Sequence, residues 1–147
     1  MKNCQNLILH VLFPISLGAF IYILFRKESL TVFIWIENIS LLDEVMILRD
    51  FTSGLKEKIP QIILYSLPDG IWVYSGTYLM ILIWKDNIKN FLAWSWILLP
   101  FICSVTAEIL QSIHIVEGQY CPYDMMFYIS FLLLALFNIK SRREHAI

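Results

Sequence analysis

Four apolar stretches, each long enough to cross the hydrocarbon core of a bilayer, constrain this chain more than any other feature. A spanning helix needs about 20 predominantly apolar residues, within a range of about 17–25. Leu7–Phe25 meets that length, interrupted only by His10 and Pro14. Ile62–Trp84, Phe91–Ile113 and Tyr123–Ile139 meet it too, the last closed by Lys140, Arg142 and Arg143. Lipid offers no partner to backbone N–H and C=O groups, so a segment of this kind must satisfy them internally as a helix. Composition agrees: 59% of the 147 residues are hydrophobic and 16% charged, where soluble domains run near ~45–50% and ~25%. The expectation is an all-α integral membrane bundle of four transmembrane helices, forming a single domain over residues 1–147.

The first stretch resembles a signal peptide only superficially. It outruns the apolar core of such a peptide, about 7–15 residues, and ends on Arg26-Lys27 instead of a small-residue cleavage site. It reads as an uncleaved first span, with a kink expected at Pro14. Cys4, Cys103 and Cys121 are far apart, form no metal-binding spacing and suit small apolar positions.

The long connection between the first two spans is more than a loop. Leu30–Ile36 is apolar but too short to cross. Leu41, Leu42, Val45, Met46 and Leu48 then recur at helical spacing between Asp43, Glu44 and Asp50. This predicts an amphipathic interfacial segment over about residues 30–58, lying on the membrane or over the bundle mouth. Thr52-Ser53-Gly54 is expected to break it.

Lys and Arg collect on the cytoplasmic side of membrane proteins. The C-terminal end carries Lys140, Arg142 and Arg143, the connection after the second span carries Lys85 and Lys89, and His114–Pro122 carries neither residue type. The pattern predicts a cell-membrane protein with both termini cytoplasmic and the long connection outside. Arg26 and Lys27 run against it. Trp84, Trp94, Trp96, Tyr120 and Tyr123 sit where interfacial aromatics belong.

On that topology the acids gather at one leaflet. Asp69 lies near the outer start of the second span, Glu108, Gln111 and His114 near the outer end of the third, and Asp124 at the outer start of the fourth. The inner halves carry almost nothing ionisable. Glu108 is the deepest, roughly 8–10 Å in at ~1.5 Å per residue, so it must face the bundle, be paired or carry a proton. Gln111 and Ser112 share its helix face. Asp69 and Asp124 each follow a proline closely, with an aromatic at +3 and a serine at +6 (Trp72 and Ser75, Phe127 and Ser130). Helix capping would explain both aspartates, since proline and an acid suit a first turn.

Such carboxylates could hold an amine, orient a hydroxyl or phosphate, relay protons or bind a divalent cation, the last through His114 and Glu117 with Glu108 or Asp124. No nucleophile–His–acid arrangement, zinc-protease motif or glycine-rich phosphate loop is present, so the sequence identifies no catalytic residue, and no cofactor is expected. A net charge of −1 gives no reason to expect nucleic acid. Phosphate recognition wants Arg or Lys, and the candidates near the outer leaflet are Arg49, Lys56 and Lys58.

Glu108-Ile-Leu-Gln111, a short polar connection and then Asp124 at a helix start resemble the VanZ-like family, which shows Glu-x-x-Gln at the end of one span and Asp at the opening of the next. Pro68-Asp69-Gly70 resembles that family's Pro-x-Gly. The likeness covers about Pro68–Phe131. Tyr128 stands where the family has Asn, and the connection lacks the family's Arg, so only Glu108, Gln111 and Asp124 carry over. Members are small bacterial multi-spanning proteins, and the founding one is associated with teicoplanin resistance. The resemblance implies an envelope protein that recognises a lipid-linked or cell-wall-related ligand at the outer leaflet through Glu108, Gln111 and Asp124; the gathering of polar groups at that leaflet adds Asp69 and His114 to the expected binding set. Two other readings stand beside it: a structural or accessory subunit of a larger membrane complex, whose polar groups tie helices together, and a small transporter, which would need polar residues through the full depth.

Overall fold

The computed structural model describes residues 2–28, 31–116 and 119–144, and every regular element among them is helical. The N-terminal helix is built from α1 (Lys2–Leu7), a π turn (Ile8–Leu12) and α2 (Phe13–Phe25) in direct succession. Short α3 (Thr31–Asn38) and α4 (Leu42–Lys56) follow, then three long helices: α5 (Gln61–Trp84), α6 (Phe91–Ser112) and α7 (Pro122–Glu144). The boundaries of the long helices fall within a residue or so of the apolar stretches, except that α7 continues past Ile139. Of Lys140, Arg142 and Arg143 only the helical backbone is described.

The π turn is the structural form of the expected kink. Pro14 cannot donate to the carbonyl one turn back and its ring crowds that carbonyl. The chain absorbs this just upstream by widening, so that Phe13 N–H bonds to the carbonyl of Ile8. Such single-turn widenings are the usual form of π helix.

The expected break at Thr52-Ser53-Gly54 does not occur: α4 runs through it to Lys56. Thr52 Oγ1 donates to the carbonyls of Leu48 and Arg49, and Ser53 Oγ to that of Asp50. These polar side chains therefore bond within the helix instead of competing with it. The helix ends a few residues later, before Pro60, whose extended backbone precedes α5. On this helix Ile47, Phe51 and Leu55 form an exposed apolar stripe, with Phe51 89% exposed.

Helix α5 is the axis of the molecule, packing against α2, the π turn, α6 and α7. It is the helix with small residues where others approach. A Cβ at Gly70 would lie 2.7 Å from Phe131 Cδ2 and 3.2 Å from Phe127 Cβ. One at Gly76 would lie 3.1 Å from the Pro100 ring. Ser66, Ser75 and Thr77 are fully buried. Small side chains of this kind let helix backbones approach closely. Around them a core of Val11, Tyr74, Tyr78, Ile81, Ile97 and Ala135 joins four elements, while Leu24, Phe25 and Leu64 fasten the end of α2 to the start of α5.

The outward faces remain apolar, with Leu9, Phe13, Ile102, Leu133 and Phe137 each at least half exposed. Two helical segments, Cys4–Phe25 and Phe91–Ser112, are 22 residues each and apolar enough to cross a membrane; the apolar part of α7, Pro122–Asn138, is shorter.

Close packing at Gly70 separates the glycines by cost. Gly70→Ala should destabilise the purified protein by about 1–3 kcal/mol through overpacking. Gly54→Ala, where an added Cβ meets nothing within 4 Å, should be neutral or stabilise by up to about 1 kcal/mol through helix propensity. Thermal unfolding in detergent checks both, and equal effects would contradict this packing.

Candidate functional site

One end of the bundle is where α2 and α6 finish and α5 and α7 begin. Four charged side chains meet there, one from each helix. Arg26, which terminates α2, places Nη2 2.7 Å from Asp69 Oδ2 and donates to the Tyr65 carbonyl at 2.7 Å. Its guanidinium also lies over the rings of Tyr22 and Tyr65, with centroids 5.1 and 5.3 Å away, a geometry in which ring quadrupole and cation attract. The position of Arg26 is itself held. Arg49 of α4 donates to the carbonyls of Ile23 and Arg26, the latter at 2.9 Å, so it caps the end of α2. Arg49 rests over Phe33 of α3.

Asp69 is not a helix cap. α5 begins at Gln61, so Pro68 and Asp69 lie inside it, about 12 Å along at ~1.5 Å per residue. Pro68 is buried in the helix interior, where it leaves the Leu64 carbonyl without its usual donor. Asp124 does stand in the first turn of α7, with Pro122 at its head. The likeness between the two Asp segments ends there: Ser75 is fully buried, whereas Ser130 is exposed and bonds back to the Met126 carbonyl.

Glu108 is buried and held from α7 and the residues before it. Its Oε2 accepts from Cys121 N–H at 3.2 Å and its Oε1 from Tyr128 O–H at 3.4 Å. Tyr128, one turn beyond Asp124, is thus a donor to this acid. The Glu108 and Asp124 carboxyls are neighbours. Both lie within electrostatic reach of Asp69. Asp124 is only 7% exposed, yet its Oδ1 has no hydrogen-bond partner.

Beside this cluster opens a cavity of about 630 Å³, lined by Arg26 and Lys27 from the end of α2, by Tyr65 and Ser66 of α5, and by Gln119–Asp124 leading into α7. Ser66 Oγ is fully buried and also unpartnered. Two polar side chains without partners thus line one cavity that already holds a guanidinium.

Of the five residues expected to bind, the structure brings Asp69, Glu108 and Asp124 together. Gln111 is partly buried on α6 and makes no side-chain hydrogen bond to the carboxylates. His114 is exposed past the end of α6, in a left-handed conformation with φ 58°. Neither lines the cavity. Glu117, its weighed metal partner, lies outside the described residues. Among the described residues no group of three His, Cys, Asp or Glu side chains has the geometry to hold a metal ion.

The basic residue at the site is Arg26, not one of the three expected from the long connection. Arg49 acts one step removed, and Lys56 and Lys58 line a separate groove. Arg26 sits so early in the sequence that only the α2–α5 packing pairs it with Asp69. A signal was present: its positive charge sat on the side where the topology wanted none.

A second polar group was also missed. In the other half of the bundle, His10 Nδ1 lies 2.6 Å from Tyr74 Oη, and its ring stacks on Tyr78 with centroids 4.4 Å apart. Asn138 Nδ2 donates to the same Tyr74 oxygen at 3.3 Å. The expectation that this half carries almost nothing ionisable is therefore corrected: the π turn presents His10 inward.

Fold and site together define an all-α bundle with a charged, partly unsatisfied cavity at one end. Comparisons with protein-family models, curated proteins and solved structures found no match.

A double-mutant cycle measures the central pair. Arg26→Gln and Asp69→Asn should each lower the thermal midpoint, with a coupling energy of about 1–3 kcal/mol, the range of hydrogen bonds to charged groups. Additive losses would mean that the pair contributes nothing as a pair.

Proposed function

We propose that the chain is a four-span cell-membrane protein of VanZ-like type that binds a lipid-linked or other envelope-derived ligand at the outer-leaflet end of its bundle. The observation that carries this reading is the cavity, with the buried and unpartnered Asp124 Oδ1 and Ser66 Oγ on its lining. Buried polar groups are normally satisfied, and two orphans at one cavity are what a bound polar ligand would explain. Asp69, Glu108 and Asp124 supply acceptors, Arg26 orients Asp69, and Tyr128 and Cys121 N–H hold Glu108 in place. Gln111 and His114 stand as outer positions of the same end.

Several features support four spans. α5 is 24 residues long, and the polar residues that dilute its hydropathy, Ser66, Ser75 and Thr77 among them, are turned into the protein. The outer faces of α2, α6 and α7 are apolar, which suits lipid. Arg26, one of the two cations that run against a cytoplasmic N-terminus, is held in an ion pair with Asp69. On this topology the exposed stripe Ile47–Phe51–Leu55 of α4 lies in the outer interface as an amphipathic element.

A second reading, as a structural or accessory subunit, draws on Glu108. Both of its oxygens are satisfied by neighbouring elements, as expected of a group that ties helices together.

Cys121 lines the cavity and reports on it. In a Cys4→Ser, Cys103→Ser background, a lipid extract of bacterial membranes should slow maleimide labelling of Cys121 several-fold. Asp124→Asn should abolish that protection while leaving the thermal midpoint within about 1 kcal/mol of the parent. Unprotected labelling at every lipid concentration would sink the ligand reading. Loss of folded protein on Glu108→Gln, with protection absent throughout, would favour the structural one. Topology has its own check. With native cysteines replaced, Ser40→Cys should react with an impermeant thiol reagent in intact cells, and Lys89→Cys only after permeabilisation.

A further inference from the structure

The charge and shape of the cavity narrow its ligand, given the reading above. Of the three clustered carboxylates Asp124 lines the cavity, with Glu108 and Asp69 within electrostatic reach of it, and Arg26 pairs with Asp69 alone. Three acids against one paired guanidinium make the Asp124 side of the cavity favour a positive group. The orphaned Asp124 Oδ1 is an acceptor, and Ser66 Oγ can accept as well. With no metal-holding geometry among the described residues, these acceptors suit a group that makes separate directional hydrogen bonds, as a primary ammonium does with its three N–H donors. Tyr65, Tyr120 and Tyr123 also line the cavity, and aromatic faces attract ammonium groups.

The cavity lining also carries positive charge. Arg26 and Lys27 lie side by side where α2 ends, Lys27 is exposed at the opening, and Arg26 Nε is buried without a partner. Guanidinium and ammonium groups so placed suit a phosphate. Ile62 borders the same opening, which gives an apolar chain a way out along the outer face of the bundle. A volume of about 630 Å³ falls within the range of about 300–1,000 Å³ that small-molecule sites occupy.

We infer that the cavity takes a primary ammonium joined by a short linker to a phosphate, the headgroup of an aminophospholipid, with the ammonium against Asp124 and Ser66 and the phosphate toward Arg26 and Lys27. This rests on the cavity being a ligand site, and it adds the headgroup class and its orientation.

The test uses the full chain in detergent micelles with Cys121 as its single thiol, titrated with short-chain phosphatidylethanolamine, phosphatidylcholine, phosphatidylglycerol and soluble glycerophosphoethanolamine. Phosphatidylethanolamine should slow maleimide labelling several-fold. Phosphatidylcholine, whose trimethylated nitrogen donates no hydrogen bond, and phosphatidylglycerol, which has no cation, should leave the rate unchanged. Asp124→Asn should remove the protection. Should that variant unfold, Lys27→Gln, at an exposed position, should weaken protection several-fold at an unaltered thermal midpoint. Equal protection by the three lipids, or protection that survives both substitutions, overturns the inference. Equal protection by the soluble compound overturns a membrane source for the headgroup. Protection by whole membrane extract but not by phosphatidylethanolamine overturns the headgroup class and leaves the cavity a ligand site; protection by neither removes both.

Discussion

The ion pair between Arg26 and Asp69 is the contact on which one end of this bundle depends. It joins Arg26, the residue just past the end of α2, to a carboxylate in the interior of α5, in surroundings where an uncompensated charge is costly. Arg49 holds the backbone that carries Arg26, so the α3–α4 segment is fastened to the end of α2 and acts on the site through it. Pro68 disturbs α5 just before Asp69, and the Tyr65 carbonyl, in the same turn, accepts from the guanidinium. A proline in the helix, an acid beside it and an arginine on a neighbouring helix thus form one local solution to burying a charge.

The acids of α6 and α7 are stabilised differently. Glu108 has no cation in contact; a backbone N–H and a tyrosine hydroxyl satisfy it. Asp124 is left with an oxygen unpartnered. The three carboxylates are therefore unequal: Asp69 is neutralised, Glu108 is hydrogen-bonded into the bundle, and Asp124 is available. This inequality, more than the clustering, leaves Asp124 as the acid of the cavity lining, beside Arg26 and Lys27. Tyr128 belongs to the same arrangement, since its hydroxyl reaches Glu108 from a full turn beyond Asp124.

Most of the helical organisation was legible in the apolar stretches because apolar length maps directly onto helix length. The failures were local. Thr52-Ser53-Gly54 looks like a breaker, but its hydroxyls have helix carbonyls in reach. Pro68-Asp69 looks like a helix start, but α5 had already begun at Gln61. His10 looked like a lone interruption, and its partners, Tyr74, Tyr78 and Asn138, lie far along the chain. In each case the deciding partner was either a backbone group whose availability depends on the helix already being formed, or a side chain remote in sequence.

By itself the sequence determined the all-α class, the extents of the long helices and the gathering of Asp69, Glu108 and Asp124 toward one end. Periodicity and length suffice for these, because they concern each segment alone. Only the tertiary structure decided that Arg26 is the cation of the site, that Gln111 and His114 stand apart from the cavity, and that Asp124 and Ser66 face it without partners. Those outcomes depend on how close α2 and α7 come to α5, and that distance is set by packing at Gly70 and along the Leu24–Phe25–Leu64 contact.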